Sequence, residues 1–343
     1  MSAHPAPSGK KRINLALQGG GAHGAFTWGA LDALLGDGRF EISAVSGASA
    51  GAMNAVVLAD GLREGGVDGA RKQLGQFWRA VSLDGQLNAA QRSLFDAWLG
   101  AFDPLNFSER LLQSASNFLS PYELNPLDIN PLRAALVKLV DFDALRASDE
   151  VKLFISATNV TTGRIKVFHR DELTAEMVMA SACLPTLFKA VEIGGVPYWD
   201  GGFSGNPPLF PFFTETDCLD IVLIQLDPIE RPGTPDSAAE IMQRMNEITF
   251  NAPLIGEFRA IDFVSRLIDR GRLKGTHYKK IRMHLIEGGK ALAAYTADTK
   301  MQADYDLFKK LFELGRRSGE KFIADNYAAI GEHGTLELRQ YLA

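Results

Sequence analysis

Twice near its start the chain passes from a short apolar run, through a turn of glycine and other small residues, straight into a segment with helical spacing. Residues 12–18 (RINLALQ) stop at Gly19, Gly20 and Gly21, and the following AFTWGALDALLG repeats its apolar positions at helical intervals. Residues 40–46 (FEISAVS) then run into Gly47-Ala48-Ser49-Ala50-Gly51 and a helix expected to reach Ala59. Two strand–turn–helix units in succession call for parallel strands, because each helix carries the chain back before the next strand begins.

Further strand signals occur at 151–157 (VKLFISA), 163–168 (GRIKVF), 219–226 (CLDIVLIQ) and 279–286, with a short helix at 174–183 leading into 189–199. Long helical periodicity covers 236–273, and terminal helices are expected over 300–327. Between 61 and 145 the pattern is helical and loop-rich, with Phe77, Trp78, Phe95, Trp98, Phe102 and Phe107 among Asn, Pro and Ser. The expected division is a disordered tail (1–11), a catalytic domain (12–290) carrying a helical cap insertion (61–145), and a C-terminal helical extension (291–343).

Bulk properties narrow the function classes. A chain of 343 residues that is 46% hydrophobic can bury the core of one large α/β domain. Its net charge of -5 exerts no general attraction on nucleic acid or an anionic bilayer, so nucleic-acid partners are not expected and membrane contact is expected to be local and peripheral. The basic N-terminus is not followed by the apolar segment of a secretory signal, and no run approaches the roughly 20 apolar residues of a membrane span. Two cysteines, Cys183 and Cys218, fit a reducing cytoplasm.

Gly47 to Gly51 fits G-x-S-x-G in the context that gives the pattern meaning, between a strand and a helix. A serine on so sharp a turn is lifted clear of the sheet, and the next helix aims its positive N-terminus at the site. The plainer reading is an N-cap serine in a small-residue turn.

Gln18-Gly19-Gly20-Gly21-Ala22-His23-Gly24 leaves backbone N–H groups able to converge on one oxygen, as an oxyanion hole requires. The same glycines could cradle a phosphate: Gly19, Gly21 and Gly24 match G-x-G-x-x-G, and Glu41 lies near the expected position of a ribose-binding acid. That nucleotide-binding alternative leaves Ser49 and the segment around Asp200 unexplained. The lysine and hydroxyl of a P-loop are missing.

A serine nucleophile needs a proton acceptor. Asp200, in Trp199-Asp200-Gly201-Gly202-Phe203, follows an apolar strand, although Asp-Gly is also a common turn pair. The other arrangement is a Ser–His–Asp triad of the α/β-hydrolase kind, giving an esterase or thioesterase with His277 or His284 as base.

Taken in order, Gly19–Gly24, Gly47–Gly51 and Asp200–Gly202 resemble the patatin-like phospholipases. The resemblance extends to Ala180-Ser181-Ala182-Cys183-Leu184-Pro185 and to Asn206 and Pro208, and covers roughly residues 12–226. It implies a three-layer α/β/α sandwich around a mostly parallel sheet, with a Ser49–Asp200 dyad lacking histidine. The oxyanion hole then falls on backbone amides within Gly19, Gly20, Gly21 and Ala22, with Gly20 and Gly21 foremost. His23 stands where family members usually carry Arg or Lys. Asn206 is read as a residue that orients the Asp200 loop or as plain turn chemistry.

The reaction implied is hydrolysis of a lipid acyl ester, phospholipid or lysophospholipid foremost, through an acyl-enzyme; a thioester or an acceptor other than water also fits. No cofactor or metal is expected, and no H-E-x-x-H or EF-hand pattern occurs. A catalytically dead scaffold is disfavoured by the intact Ser49 and Asp200. Phe95, Trp98, Leu99 and Phe102 could line an acyl tunnel, meet lipid, or form the cap's own core. The eight Lys and Arg between 257 and 282, against three acids, could meet anionic headgroups or form a solvated face. Oligomeric state is not legible.

Overall fold

The structure, a computed structural model, describes residues 9–82, 131–185, 188–274, 277–295 and 304–342. Most of the tail (1–8), the aromatics Phe95, Trp98, Phe102 and Phe107, and Leu99 lie outside the described residues.

The strands in chain order are β1 (Lys11–Leu17), β2 (Phe40–Gly47), β3 (Lys152–Asn159), β4 (Ile165–His169), β5 (Val191–Ile193), β6 (Val196–Asp200), β7 (Asp220–Gln225) and β8 (Arg282–Glu287). Among the described residues they form one eight-stranded sheet in the order β5-β6-β3-β2-β1-β7-β8, with β4 paired to β3. The centre is parallel: β1 pairs with β2 and β7, β2 with β3, and β7 with β8. The β3 side ends in antiparallel pairs with β4 and β6, and β5 with β6. Residues 189–199, expected as one segment, fold as a hairpin instead. Gly194 and Gly195 have φ of 59° and 78°, the left-handed pair that a two-residue hairpin turn demands.

Helices cover both faces: α1 (Gly24–Asp37), α2 (Ala50–Ala80), α3 (Pro131–Leu139), α4 (Phe142–Ala147), α5 (Ala175–Ser181), α6 (Phe210–Glu215), α7 (Ala238–Asp269), α8 (Gly289–Ala293) and α9 (Tyr305–Asn326). Strand side chains alternate between two cores. Leu15, Leu17, Val45, Leu153, Ile155, Val222 and Ile224 face the larger one with α1, α2 and α9. Ala16, Ala44, Phe154, Ile221, Leu223 and Met283 face a second, closed by Phe212 of α6 and Leu254, Phe258 and Ile261 of α7. Strands buried on both faces explain the near-continuous apolar runs of β1 and β7.

The segment 291–343, expected as an extension, supplies part of the main core. Leu307, Phe308, Leu311, Phe322 and Ile323 of α9 are buried there. A Cβ on Gly29 of α1 would stand 1.9 Å from Phe312 O, and one on Gly315 of α9 1.9 Å from Phe26 O, so the two helix backbones touch. Lys11 Nζ fastens the end of α9 by donating to the carbonyls of Tyr327 (2.8 Å), Ala328 (3.1 Å) and Ile330 (2.7 Å). The described ends of the expected cap also belong to this core. Helix α2 is interrupted by non-helical backbone at Gly65 and Gly66 and then buries Ala70, Leu74, Phe77 and Trp78, while Leu132, Leu136, Val140 and Leu145 join from the other end.

Candidate active site

From β1 the chain moves outward through β2 to β3, and later returns to the opposite side of β1 as β7. Parallel sheets place ligand sites where the order reverses in this way, beyond the carboxyl ends of the strands. The glycine run following β1 and the serine turn following β2 both fall there.

Ser49 has φ 53° and ψ −124°, and among the described residues it is the one non-glycine residue with positive φ. This strain is typical of a nucleophile elbow, and the surroundings hold it. Two residues on, Gly51 packs so tightly that a Cβ would lie 2.1 Å from Leu17 O at the end of β1. The Ser49 amide donates to both Ser181 Oγ (3.0 Å) and Ser181 O (3.2 Å). Just beyond, the Asp200 amide donates to Cys183 O at 2.8 Å. The end of α5 therefore suspends both candidate residues, a role for Ser181 that no local pattern announces.

Asp200 closes β6 and is fully buried. Its Oδ1 accepts from the Gly202 amide at 2.7 Å, and its carbonyl accepts from Thr158 Oγ1 at 2.7 Å. Burial pushes the carboxyl up to about 7, with the Gly202 amide and then the Ser49 hydroxyl drawing it back. Ser49 Oγ is thus near enough to act on the carboxylate, yet neither Ser49 Oγ nor Asp200 Oδ2 closes a hydrogen bond of ordinary geometry to the protein. Catalytic hydrogen bonds are often loose without substrate.

The glycine run forms a 3-10 turn, Gly21–His23, continuous with α1. The opening amides of such a turn have no acceptor within their own helix, which makes those of Gly21 and Ala22, with Gly20 before them, the candidate donors. Gly19 corrects the expected donor set: its amide is committed to Asn206 Oδ1 at 2.7 Å. Asn206, fully buried, therefore positions the glycine run and not the Asp200 loop. Gln18 ties this corner together, accepting from the amides of Leu226 (2.7 Å) and Asp227 (2.9 Å) and donating to Asn251 Oδ1 of α7 (2.9 Å). His23, in place of a basic residue, is buried at 2% exposure.

Helix α7 covers the site. A narrow cleft at Ser49 is lined by Gly19, Gly20, Asp227, Gln243, Asn246, Glu247 and Phe250, the last four from α7. A Cβ on Gly202 would strike the edge of the Phe250 ring, at Cε1 and Cδ1, so this ring packs tightly against the turn beside Asp200.

The other expected candidates sit elsewhere. His277 is exposed and precedes β8, at the amino edge of a strand parallel to β7, across the sheet from Ser49. His284 is buried inside β8, its Nε2 3.1 Å from Asp220 Oδ1 and its Nδ1 3.0 Å from Thr335 Oγ1. Burial raises the Asp220 carboxyl, but His284, Arg282 and the Gly331 amide outweigh it and hold the group well below the usual carboxylate range. Neither histidine reaches Ser49. Glu41, the candidate ribose ligand, lies at the start of β2 beside Arg12, at the edge away from the glycine run. Within the basic segment Arg266, Lys280 and Arg282 are paired with Asp262, Asp269 and Asp220. Among the described residues no group of three or more His, Cys, Asp or Glu is arranged to hold a metal ion, and no helix is long and apolar enough to cross a membrane.

A serine on a strained strand-to-helix turn, with a glycine run opening the neighbouring helix and a buried carboxylate close by, marks an ester hydrolase on an α/β sandwich. The chain belongs to the patatin-like phospholipases, whose family model matches residues 15–213, more than half its length. It is a lipid acyl hydrolase by that membership. Among solved structures it is similar to VipD from Legionella pneumophila, with 18% identity, 93% of this chain and 67% of that chain covered, and a TM-score of 0.41. It is also similar to a chain of the SpcU–ExoU complex from the type III secretion system of Pseudomonas aeruginosa, with 16% identity, 89% and 53% covered, and a TM-score of 0.31. No curated protein matches the chain significantly.

Proposed function

We propose that the chain cleaves acyl esters of phospholipids or lysophospholipids through a Ser49–Asp200 dyad. The observation that carries this reading is the strained Ser49 turn placed beside a carboxylate that burial has made basic enough to accept a proton near neutrality. Asp200 takes the Ser49 proton as the oxygen attacks the ester carbonyl. Amides from Gly20, Gly21 and Ala22 receive the oxyanion, helped by the N-terminus of α2. Protonated Asp200 returns its proton to the leaving alcohol, and water then attacks the acyl-enzyme by the same route in reverse. Phe250 packs on the Gly202 turn beside the carboxylate, and the burial of the carboxylate sustains its basicity.

A fluorophosphonate probe tests nucleophile and base together. The modified peptide should contain Ser49, and labelling should collapse in Asp200→Asn but persist in His277→Ala. Labelling lost in His277→Ala, or absent from Ser49 in folded protein, would refute the dyad.

A further inference from the structure

The half of α7 that covers Ser49 is amphipathic in the wrong sense for an ordinary surface helix. Such helices turn apolar side chains inward and polar ones to water. Here the inward face carries Gln243, Asn246 and Glu247, with Phe250 as the apolar exception. Polar contacts hold that face: Arg231 Nη2 meets Glu247 Oε1 at 2.6 Å, Arg244 Nη1 meets Glu247 Oε2 at 3.1 Å, and Asn251 Nδ2 donates to Pro228 O at 3.1 Å. On the opposite side Ile241, Met245 and Ile248, at spacings of four and three that share one helix face, are 43%, 54% and 54% exposed. Ala252 continues the stripe, and Pro253 follows, where the helix loses a backbone donor.

We propose that Ile241, Met245 and Ile248 form a lipid-docking surface that sets the catalytic cleft against a membrane. The inference rests on the lipid-hydrolase reading. Its occupant is identified by continuity: the residues on the far side of the same helix, about 10 Å from the stripe, line the Ser49 cleft, so a surface that docks here holds the cleft against the headgroup layer where ester bonds lie. The basic run at 257–282 is not needed for it.

The test uses the full chain and vesicles of phosphatidylcholine and phosphatidylglycerol. The variant Ile241→Gln/Met245→Gln/Ile248→Gln keeps helix-forming side chains while removing the apolar face. Vesicle flotation should fall by about tenfold or more, while hydrolysis of a short-chain ester below its micelle concentration keeps wild-type kcat and KM. Unchanged flotation overturns the proposal. So does a wild-type dimer that the variant dissolves without any vesicle binding, which would make the stripe a contact between copies. Should the triple variant misfold, an environment-sensitive fluorophore on Met245→Cys decides, since Cys183 and Cys218 are buried. A blue shift on vesicles supports docking, and no shift overturns it. Wild type that floats through this stripe but cleaves no ester leaves the surface standing and removes the chemistry proposed for Ser49.

Discussion

The Ser49 and Asp200 amides hang from one short segment, Ser181 to Cys183, while their side chains face each other with Ser49 Oγ and Asp200 Oδ2 both buried and neither closing a hydrogen bond. Backbone fixed and reacting atoms uncommitted is the arrangement expected where a proton moves during turnover. It yields the first expectations.

Activity should follow deprotonation of Asp200. Burial raises the carboxyl to about 7, so kcat/KM for a soluble ester should climb with pH through a midpoint near neutrality and level above it. A limb centred near 4, the value of an exposed aspartate, would mean that burial does not raise the carboxyl of the base in the free enzyme.

The same burial has a stability cost with a definite sign. Asp200 holds its proton more tightly folded than unfolded, so its contribution is fully present below about 4 and is lost as pH rises through about 7. Asp200→Asn removes the group that must ionise in the dry site. The variant's advantage over wild type in thermal melting should therefore be small at pH 4, grow through pH 5 to 7 and level by pH 8 at no more than on the order of 4 kcal/mol. Glu257, also raised to about 7 by burial despite the Leu209 and Phe210 amides, titrates in the same direction. The difference between wild type and variant, not the wild-type curve, isolates Asp200.

Asn206 should matter through geometry. Its Oδ1 fixes the Gly19 amide, and the amides after Gly19 are the proposed oxyanion donors. Asn206→Ala should lower kcat by roughly 10–100-fold with little change in KM, and cost about 1–3 kcal/mol for the buried amide left unpaired. Thermal melting and a kcat-against-KM comparison check both. A raised KM at unchanged kcat would place Asn206 in substrate binding instead.

What could be read beforehand, and what could not, follows from distance along the chain. Ser49, the glycine run and Asp200 are local events, strand ends punctuated by glycine, and each was legible. Asn206 meets Gly19 across 187 residues and Ser181 meets Ser49 across 132, and no periodicity marks such a contact. Phe77 and Trp78 have the same composition whether they fill a cap or the main core. Helical spacing marks 300–327 as helical, but nothing in it shows that α9 packs on α1. Helix α7 was legible as a helix, while its place as the roof of the site was set by β7 and the loop after it.

The contact between α1 and α9 should be intolerant of any side chain at its crossing. Gly315→Val places its Cβ where Phe26 O already lies, 1.9 Å away, and backbone cannot yield as a flexible side chain can. A loss of several kcal/mol is expected, beyond the usual 1–3 kcal/mol of overpacking. Gly331→Ala, at φ 89° with open space around it, should cost only its backbone strain, about 1–2 kcal/mol. Denaturant titration of both variants compares them. Equal losses would show that α9 can move away from α1 without disturbing the core.

The polar latch beneath α7 gives the last expectation. Arg231 grips Glu247 with two nitrogens, Nε at 3.1 Å and Nη2 at 2.6 Å, and joins the loop after β7 to the helix that roofs Ser49. Glu247 is buried at 2% exposure, and Arg244 remains as a second cation when Arg231 is removed. Arg231→Ala should therefore loosen the roof without stranding the carboxylate, at a cost of about 1–3 kcal/mol. Ser49 lies beneath this helix, so fluorophosphonate labelling without vesicles should quicken by several-fold, and the increment that vesicles add should shrink. Labelling that slows in a folded variant would mean that the Arg231–Glu247 pair shapes the cleft itself and that its release damages the site more than it opens it.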